Sequence, residues 1–446
     1  MPILSLSQEQ LSVVYIYMSM QSRRRFLKAG VTSLGVTPLI LNRALAGSAN
    51  DEVHIGCIGV GQRGGVNMKN FLNTKGVRVV AVCDVDAKFA AEKKGWVDEF
   101  YGNTDCKVFE RHEDLLAMEG LDGICLSTPD HWHARIGIDA ANAGLDIFGE
   151  KPFAWGLAEG RALADAVKKN NIIWQTGCWQ RSTGAFRRFK ALIGLGVLGK
   201  MHRFECGTPS GWGERFLPPE DTWAERIGKP PAELNWQRYC GPVGEQQYHP
   251  ILHPWNWRWT NTFGGGQLLD WVGHHVDIAM WTLGLDKAGP IQVEGTGSKK
   301  PHSVYDVYVD YQYNSTFKDG RVIEVRSDFM GAKFTGENGW LHVNRNGLLA
   351  SSDPNAKEGD RRHPMLRELP DDFVTRVPNH FEDFVNCVRS RKPAVAPAEA
   401  AHRVASIGQL AIAAIDAGRP LHWDPETEQV VGDAELAQHP RLGSRL

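Results

Sequence analysis

The sequence predicts an α/β chain of two domains, a parallel sheet wrapped by helices and then a second sheet with helices of its own. Three observations carry that prediction. An apolar strand runs into a glycine-rich turn, strands and helices then alternate as far as Thr176, and beyond Gly177 the period of the apolar pattern changes. A chain of 446 residues is too long for one ordinary core and suits two lobes.

Residues 54–60 read as the first strand, and residues 77–83 as a second that ends at Asp84. Strand, glycine-rich turn, helix, strand and acid is the order of a mononucleotide-binding unit. Strand 122–127, helix 131–143, strand 145–148, helix 159–169 and strand 172–176 extend the alternation. Their near-continuous apolar runs suit parallel strands covered on both faces. Beyond Gly177, residues 186–192 suit a helix, whereas 201–206, 291–294, 304–313, 322–327 and 340–344 suit strands of a second sheet. Residues 304–310 alternate most regularly, which leaves one face free for solvent or partner subunits. Residues 207–265 are rich in Trp, Pro and Gly, too irregular for a core element and suited to building a site. Helices 379–390 and 398–417 close the chain, the second stopping at Gly418 with Pro420 beyond it. The resulting domains are an upstream and targeting segment at 1–46, a nucleotide-binding domain at 47–177, a substrate and oligomerisation domain at 178–424, and a tail at 425–446.

Fifty Lys and Arg against 52 Asp and Glu give a formal charge of -2, which supplies no broad field for nucleic acid or anionic membrane. A neutral small-molecule substrate fits that balance better. The eight cysteines show no paired CxxC spacing, and no disulfide pairing follows from them. His249, His253, His274 and His275 are too loosely spaced for a recognised ligand set, so no metal is expected.

Residues 22–28, Ser-Arg-Arg-Arg-Phe-Leu-Lys, precede an apolar stretch at 29–41 and then Ala44-Leu45-Ala46, which suits signal peptidase. The paired arginines resemble a Tat signal, whose pathway carries folded proteins and would permit cofactor loading before export. The expected location is the periplasm or the exterior, with no stable membrane anchor once the signal is removed.

In Gly59-Val60-Gly61-Gln62-Arg63-Gly64, Gly59 permits the tight turn, Gly61 lets the backbone approach a pyrophosphate, and Gly64 allows close helix–strand contact. Gln62 and Arg63 open the following helix beside the phosphates. Asp84 can accept from the adenosine ribose diol and would repel a 2′-phosphate, which favours NAD over NADP; Arg63 weakens that preference, since it could also reach phosphate. Lys151 follows strand 145–148, at the edge of a parallel sheet that faces the ligand crevice. Asp270, His274 and Asp277, four and three apart, share one face if 267–283 is helical, forming an acid–imidazole–acid row in which a carboxylate orients the imidazole. His275 would point away and take a structural role. Arg181 either holds substrate hydroxyls or forms an ion pair between domains. Eight tryptophans lie between Trp212 and Trp281, where Trp257 and its neighbours could cover a pyranose face and Arg258, Asn256 and Asp221 take its hydroxyls; a Trp-rich core or interface is the alternative.

These motifs resemble the Gfo/Idh/MocA family in their order: Gly59 to Gly64, Ser127-Thr128-Pro129 with His131-Trp132-His133, Glu150-Lys151-Pro152, then Gly264-Gly265-Gly266 followed by Asp270, His274 and Asp277. The resemblance implies a Rossmann domain and a C-terminal α+β domain with a large, mostly antiparallel open sheet, assembled as a homodimer or homotetramer. It further implies cofactor contacts at Thr128, Pro129, His133, Glu150 and Lys151, with Lys151–Pro152 often cis. Lys151 would stabilise the reacting oxygen, Asp270 lie close to substrate, and His274 handle the hydroxyl proton. The implied activity is NAD-dependent oxidation of a sugar, sugar derivative or cyclitol. Because an exported enzyme meets no nicotinamide pool, the NAD should be tightly held. That also suits redox-neutral glycoside cleavage through a transient ketosugar, as in glycoside hydrolase family 109, whose complete active-site pattern is not matched here. A non-catalytic sugar-binding protein is the remaining alternative.

Overall fold

Short runs of β-branched and apolar residues build the first sheet. β1 (Val53–Ile58) and β2 (Val77–Cys83) are joined by β3 (Lys107–Phe109), β4 (Gly123–Leu126), β5 (Asp146–Gly149) and β6 (Trp174–Thr176). All pairs are parallel, in the order β3-β2-β1-β4-β5-β6. The order reverses between β1 and β4, and the crevice beyond their carboxyl ends is where such sheets bind ligands. The computed structural model describes residues 52–369, 373 and 378–446; the expected export peptide and cleavage site lie outside them.

Helices Gln62–Leu72, Ala87–Tyr101, Asp130–Asn142 and Leu157–Lys169 complete the alternation. The Ala87–Tyr101 helix buries only Ala90, Lys93 and Val97, so its apolar stripe is too thin to read from sequence. Asp86 caps it by accepting from the amides of Lys88 and Phe89.

The second sheet comprises β7 (Met201–Gly207), β8 (Gln292–Ser298), β9 (Asp310–Thr316), β10 (Val322–Arg326), β11 (Gly331–Gly336), β12 (Gly339–Asn344), β13 (Gly347–Ser351), β14 (Leu421–Asp424) and β15 (Gln429–Val430). Its order is β13-β12-β11-β7-β10-β9-β8-β14-β15, antiparallel except where β7 meets β10. Phe204 and Cys206 turn inward to the core, while Arg203 and Glu205 turn outward and pair with Glu324 and Arg326. The outer face is therefore a lattice of interleaved charges.

Three expectations need correction. Residues 304–309 are not a strand, although Tyr305, Val307 and Val309 are buried in alternation. Their amides and carbonyls bond irregularly, Asp306 N to Trp259 O, Val309 N to Ser298 O and Gly211 N to Val309 O, so ladder pairing starts only at Asp310. Residues 425–446 are no free tail: Leu436 and Leu442 enter the main core, Glu428 pairs with Arg161 and His402, and buried Arg441 donates to the carbonyls of Trp155, Asn261 and Gly264. The first sheet ends at Thr176, within the expected 47–177, but a closing helix expected in the second domain packs into the first. The His380–Ser390 helix returns to it, placing Phe384 and Val385 beside Phe71 and stacking Phe381 on Phe148 at 4.9 Å. The Ala398–Ala417 helix, nearly all of it buried, contributes side chains to the cores of both lobes.

Arg181 is wholly buried, and its guanidinium grips Asp277 at 2.7 Å and Asp286 at 2.9 Å while donating to the carbonyl of Val395. The ion pair is therefore formed, but within the second domain, since all three charged residues lie in 178–424, and not between domains as expected. Replacing it with a neutral side chain leaves the Asp277 carboxylate buried without a counter-charge. Arg181→Met should therefore lower unfolding free energy by about 3–5 kcal/mol, measured by urea denaturation.

Candidate active site

At the carboxyl end of β1 the chain turns through Gly59, whose φ is +75°. A Cβ on Gly64 would lie 1.8 Å from the Gly59 carbonyl, so the first helix can approach the turn only with glycine there. The Gln62–Leu72 helix starts with no side-chain cap, and its first residues line a cleft. Uncapped amides at the edge of that cleft fit a dinucleotide pyrophosphate. Gly59, Gly61, Gln62, Arg63, Asp84, Thr128 and Pro129 all line it, as expected, and Trp257 and Arg258 close its far wall.

Asp84 does more than await a ribose. Its Oδ2 accepts from the Val60 amide at 2.8 Å and its Oδ1 from Asp86 N at 2.9 Å, which fixes the glycine turn. Burial raises its pKa to about 6 despite those bonds. His133, expected to touch cofactor, instead lies between two backbone carbonyls, 2.6 Å from that of Pro152 and 2.9 Å from that of Thr128. It is buried and ties the loop after β4 to the loop after β5, so its effect on the cleft is indirect.

Arg63 points toward the chemical centre, its Nε donating to Glu150 at 2.6 Å. The Glu150 carboxylate also accepts from Asn67 Nδ2 at 3.0 Å and from its neighbour's amide at 3.3 Å. Asn67, which no motif marks, bonds both Glu150 and Ser127 from the helix. Burial alone would raise the Glu150 pKa, but Arg63, Lys151 and Asn67 prevail and bring it to about 2.

Lys151, preceding a cis peptide at Pro152, reaches across to Asp270, with Nζ 2.8 Å from Oδ1. A Cβ on Gly273 would stand 2.9 Å from that of Lys151, so glycine admits the lysine stem against the helix. Arg258 stands 3.7 Å from the same carboxylate, its guanidinium against the rings of Trp255 and Trp257. Although burial opposes it, the two cations hold Asp270 below the ordinary carboxylate range.

The 267–283 helix is not continuous. Gly266–Trp271 is α-helical, Val272–Val276 forms a π turn, and Asp277–Thr282 resumes the α-helix. Such wide turns are frequent at functional sites. Here the turn breaks the acid–imidazole–acid row. Asp270 goes to Lys151, Asp277 goes to Arg181, and no described carboxylate hydrogen-bonds His274. Burial first, and then Lys151 and Arg345, hold the His274 pKa well below its usual value; its Nδ1 is buried without a partner. Burial and the neighbouring cations thus both favour the uncharged imidazole. His275 is structural as expected, its Nδ1 lying against the Gly207 carbonyl and the Gly331 amide.

Most of the tryptophans serve packing. Trp236 stacks on Tyr239 in a small core of the insert, Trp259 is buried, and Trp281 covers Arg181 and Lys190. Asn256 is likewise structural, bonded to the backbone of Arg215 and Ile251. All eight cysteines are buried and unpaired.

Family models match both lobes, an oxidoreductase NAD-binding Rossmann fold over residues 53–178 and an oxidoreductase C-terminal alpha/beta domain over residues 183–441. The chain belongs to the Gfo/Idh/MocA oxidoreductase family. Among curated relatives, glycosyl hydrolase family 109 protein 2 of Shewanella sp. (strain ANA-3) is 29% identical over 192 residues, 37% of this chain and 41% of that protein. The chain thus spans less than half the length of the curated relatives it matches. Two solved structures share the fold of this Gfo/Idh/MocA protein. An oxidoreductase domain protein from Kribbella flavida has a TM-score of 0.61 at 17% identity, covering 86% of this chain and 100% of the other. The aldose–aldose oxidoreductase from Caulobacter crescentus has a TM-score of 0.59 at 16% identity, covering 83% and 99%.

The depressed Glu150 pKa makes a stability prediction. An acid whose folded pKa lies below its usual 4.5 stabilises fully above that value, and the contribution disappears as pH falls through about 2. Wild type should exceed Glu150→Gln in unfolding free energy at neutral pH. The gap should narrow steadily between about pH 4.5 and 2, measured by denaturant titration at each pH.

Proposed function

We propose that the protein oxidises a hydroxyl-bearing carbon of a sugar, sugar derivative or cyclitol with NAD. The observation that carries this reading is the Lys151–Asp270 pair beside a neutral, buried His274, at the carboxyl edge of the sheet whose glycine turn suits a dinucleotide. NAD, when bound, supplies the hydride acceptor. His274 takes the hydroxyl proton, for which its uncharged imidazole is ready at neutral pH. Lys151 donates to the same oxygen and stabilises the negative charge that develops there, and Asp270 fixes the ammonium's direction. The likeness to the Caulobacter crescentus aldose–aldose oxidoreductase supports a carbohydrate substrate.

The twin-arginine segment supports an exported protein, periplasmic or secreted, whose NAD is retained through folding and turnover. The open outer face of the nine-stranded sheet supports assembly into a homodimer or homotetramer. A second reading, redox-neutral glycoside cleavage, draws support from the relatives named as glycosyl hydrolase family 109 proteins. Product analysis on aryl glycosides without added NAD separates the two, because cleavage releases a reducing sugar and net oxidation leaves a ketosugar.

Lys151→Ala and His274→Ala should each lower kcat/KM for the oxidised sugar by about 10²-fold or more while the protein stays folded. Denaturing each purified variant should release NAD in equal molar amount, identified by mass. Unchanged turnover in both variants would reject the assigned roles, and release of NADP would reject the selectivity attributed to Asp84.

A further inference from the structure

We propose that the substrate is an acidic sugar, and that Arg345 in the C-terminal lobe grips its carboxylate. The inference rests on the oxidoreductase reading above and adds the chemical class of its substrate. Arg345 lies in the turn between β12 and β13, far in sequence from every site motif. Its guanidinium stands 4.6 Å from the ring of Trp271 and 5.2 Å from that of Trp179. Trp271 adjoins Asp270, and its ring centroid is 5.1 Å from that of His274. Arg345 is thus close enough for its charge to help depress the His274 pKa.

Among the described residues Arg345 has no hydrogen bond and no ion pair. Its neighbours in the site are committed elsewhere: Arg63 is held by Glu150 and Lys151 by Asp270, while Arg258 shares that same Asp270 at 3.7 Å. Each anion of the site is already matched, and Arg345 remains as surplus positive charge. Burial pushes the carboxyl of Asp130, near Asp270 and Lys151, up to about 7, so it carries only part of a charge at neutral pH. A guanidinium held against indole rings keeps its planar fork of donors free, and a carboxylate matches that fork with two parallel hydrogen bonds. The overall charge of -2, which suits a neutral substrate, sums over the whole surface and leaves room for a local excess of this kind.

The test compares hexuronates and aldonates with the matching uronamides, parent hexoses and hexose phosphates, using the protein as purified with its NAD. Wild type should prefer a hexuronate over its uronamide by about 10²-fold in kcat/KM, the scale of a charge-assisted bidentate contact. Arg345→Met should abolish that preference, bringing kcat/KM for the hexuronate down to that for its uronamide, and Arg345→Lys should restore part of it. Equal use of acid and amide by wild type would overturn the proposal. So would a preference that survives Arg345→Met, or a stronger preference for hexose phosphates. If no sugar of any kind is turned over, the oxidoreductase reading fails and calorimetry decides the anion site alone. Hexuronate binding lost in Arg345→Met would support it, and absence of binding to wild type would overturn it.

Discussion

One charge-assisted contact joins the two halves of the candidate centre, the 2.8 Å bond from Lys151 to Asp270, spanning 119 positions of sequence. Both side chains are largely withdrawn from water, so each would be costly to leave alone. The bond requires the loop after β5 and the Gly266–Trp271 helix to meet at side-chain distance. Gly273 permits that approach by leaving space for the lysine stem.

Behind this contact lies a division of charge. Glu150 could compete with Asp270 for the lysine, being its immediate neighbour in sequence. Arg63 and Asn67 occupy the Glu150 carboxylate instead, and hold it ionised despite its burial. Lys151 is consequently directed toward the second lobe. Burial first, and then Lys151 and Arg345, push the His274 pKa down, so the same cations that meet at Asp270 also act on the imidazole.

The chain secures that arrangement by weaving its last segments back through both lobes. The His380–Ser390 helix completes the core of the parallel sheet, and the Ala398–Ala417 helix contributes to both cores. Arg441 then bridges the loop after β5 and the turn that precedes the Asp270 helix, donating to Trp155 O and Gly264 O. A buried guanidinium bonded only to carbonyls meets a strong desolvation cost, and burial brings its pKa down to about 9. The bonds it makes tie together the two segments that present Lys151 and Asp270.

The sequence by itself determined the parallel sheet, the glycine turn, the placing of Lys151 at a strand end and, in the second sheet, strands β7, β8, β10 and β12. Each of these is local: apolar runs, a turn needing glycine, and alternation with period two report on a few consecutive residues. The Ala398–Ala417 helix and its stop at Gly418, with φ +65°, were legible for the same reason. Tertiary structure alone decided which partner each charged residue takes. Equal spacing along a presumed helix placed Asp270, His274 and Asp277 together, but the π turn separates them and Arg181 claims Asp277. His133 belongs to a family motif yet lies between two backbone carbonyls. Residues 304–309 had the right alternation but no regular neighbour, because a ladder depends on a second strand that the segment does not encode. Arg345 had no local signal at all: its meaning comes from Trp271 and Trp179, which only the folded chain brings beside it.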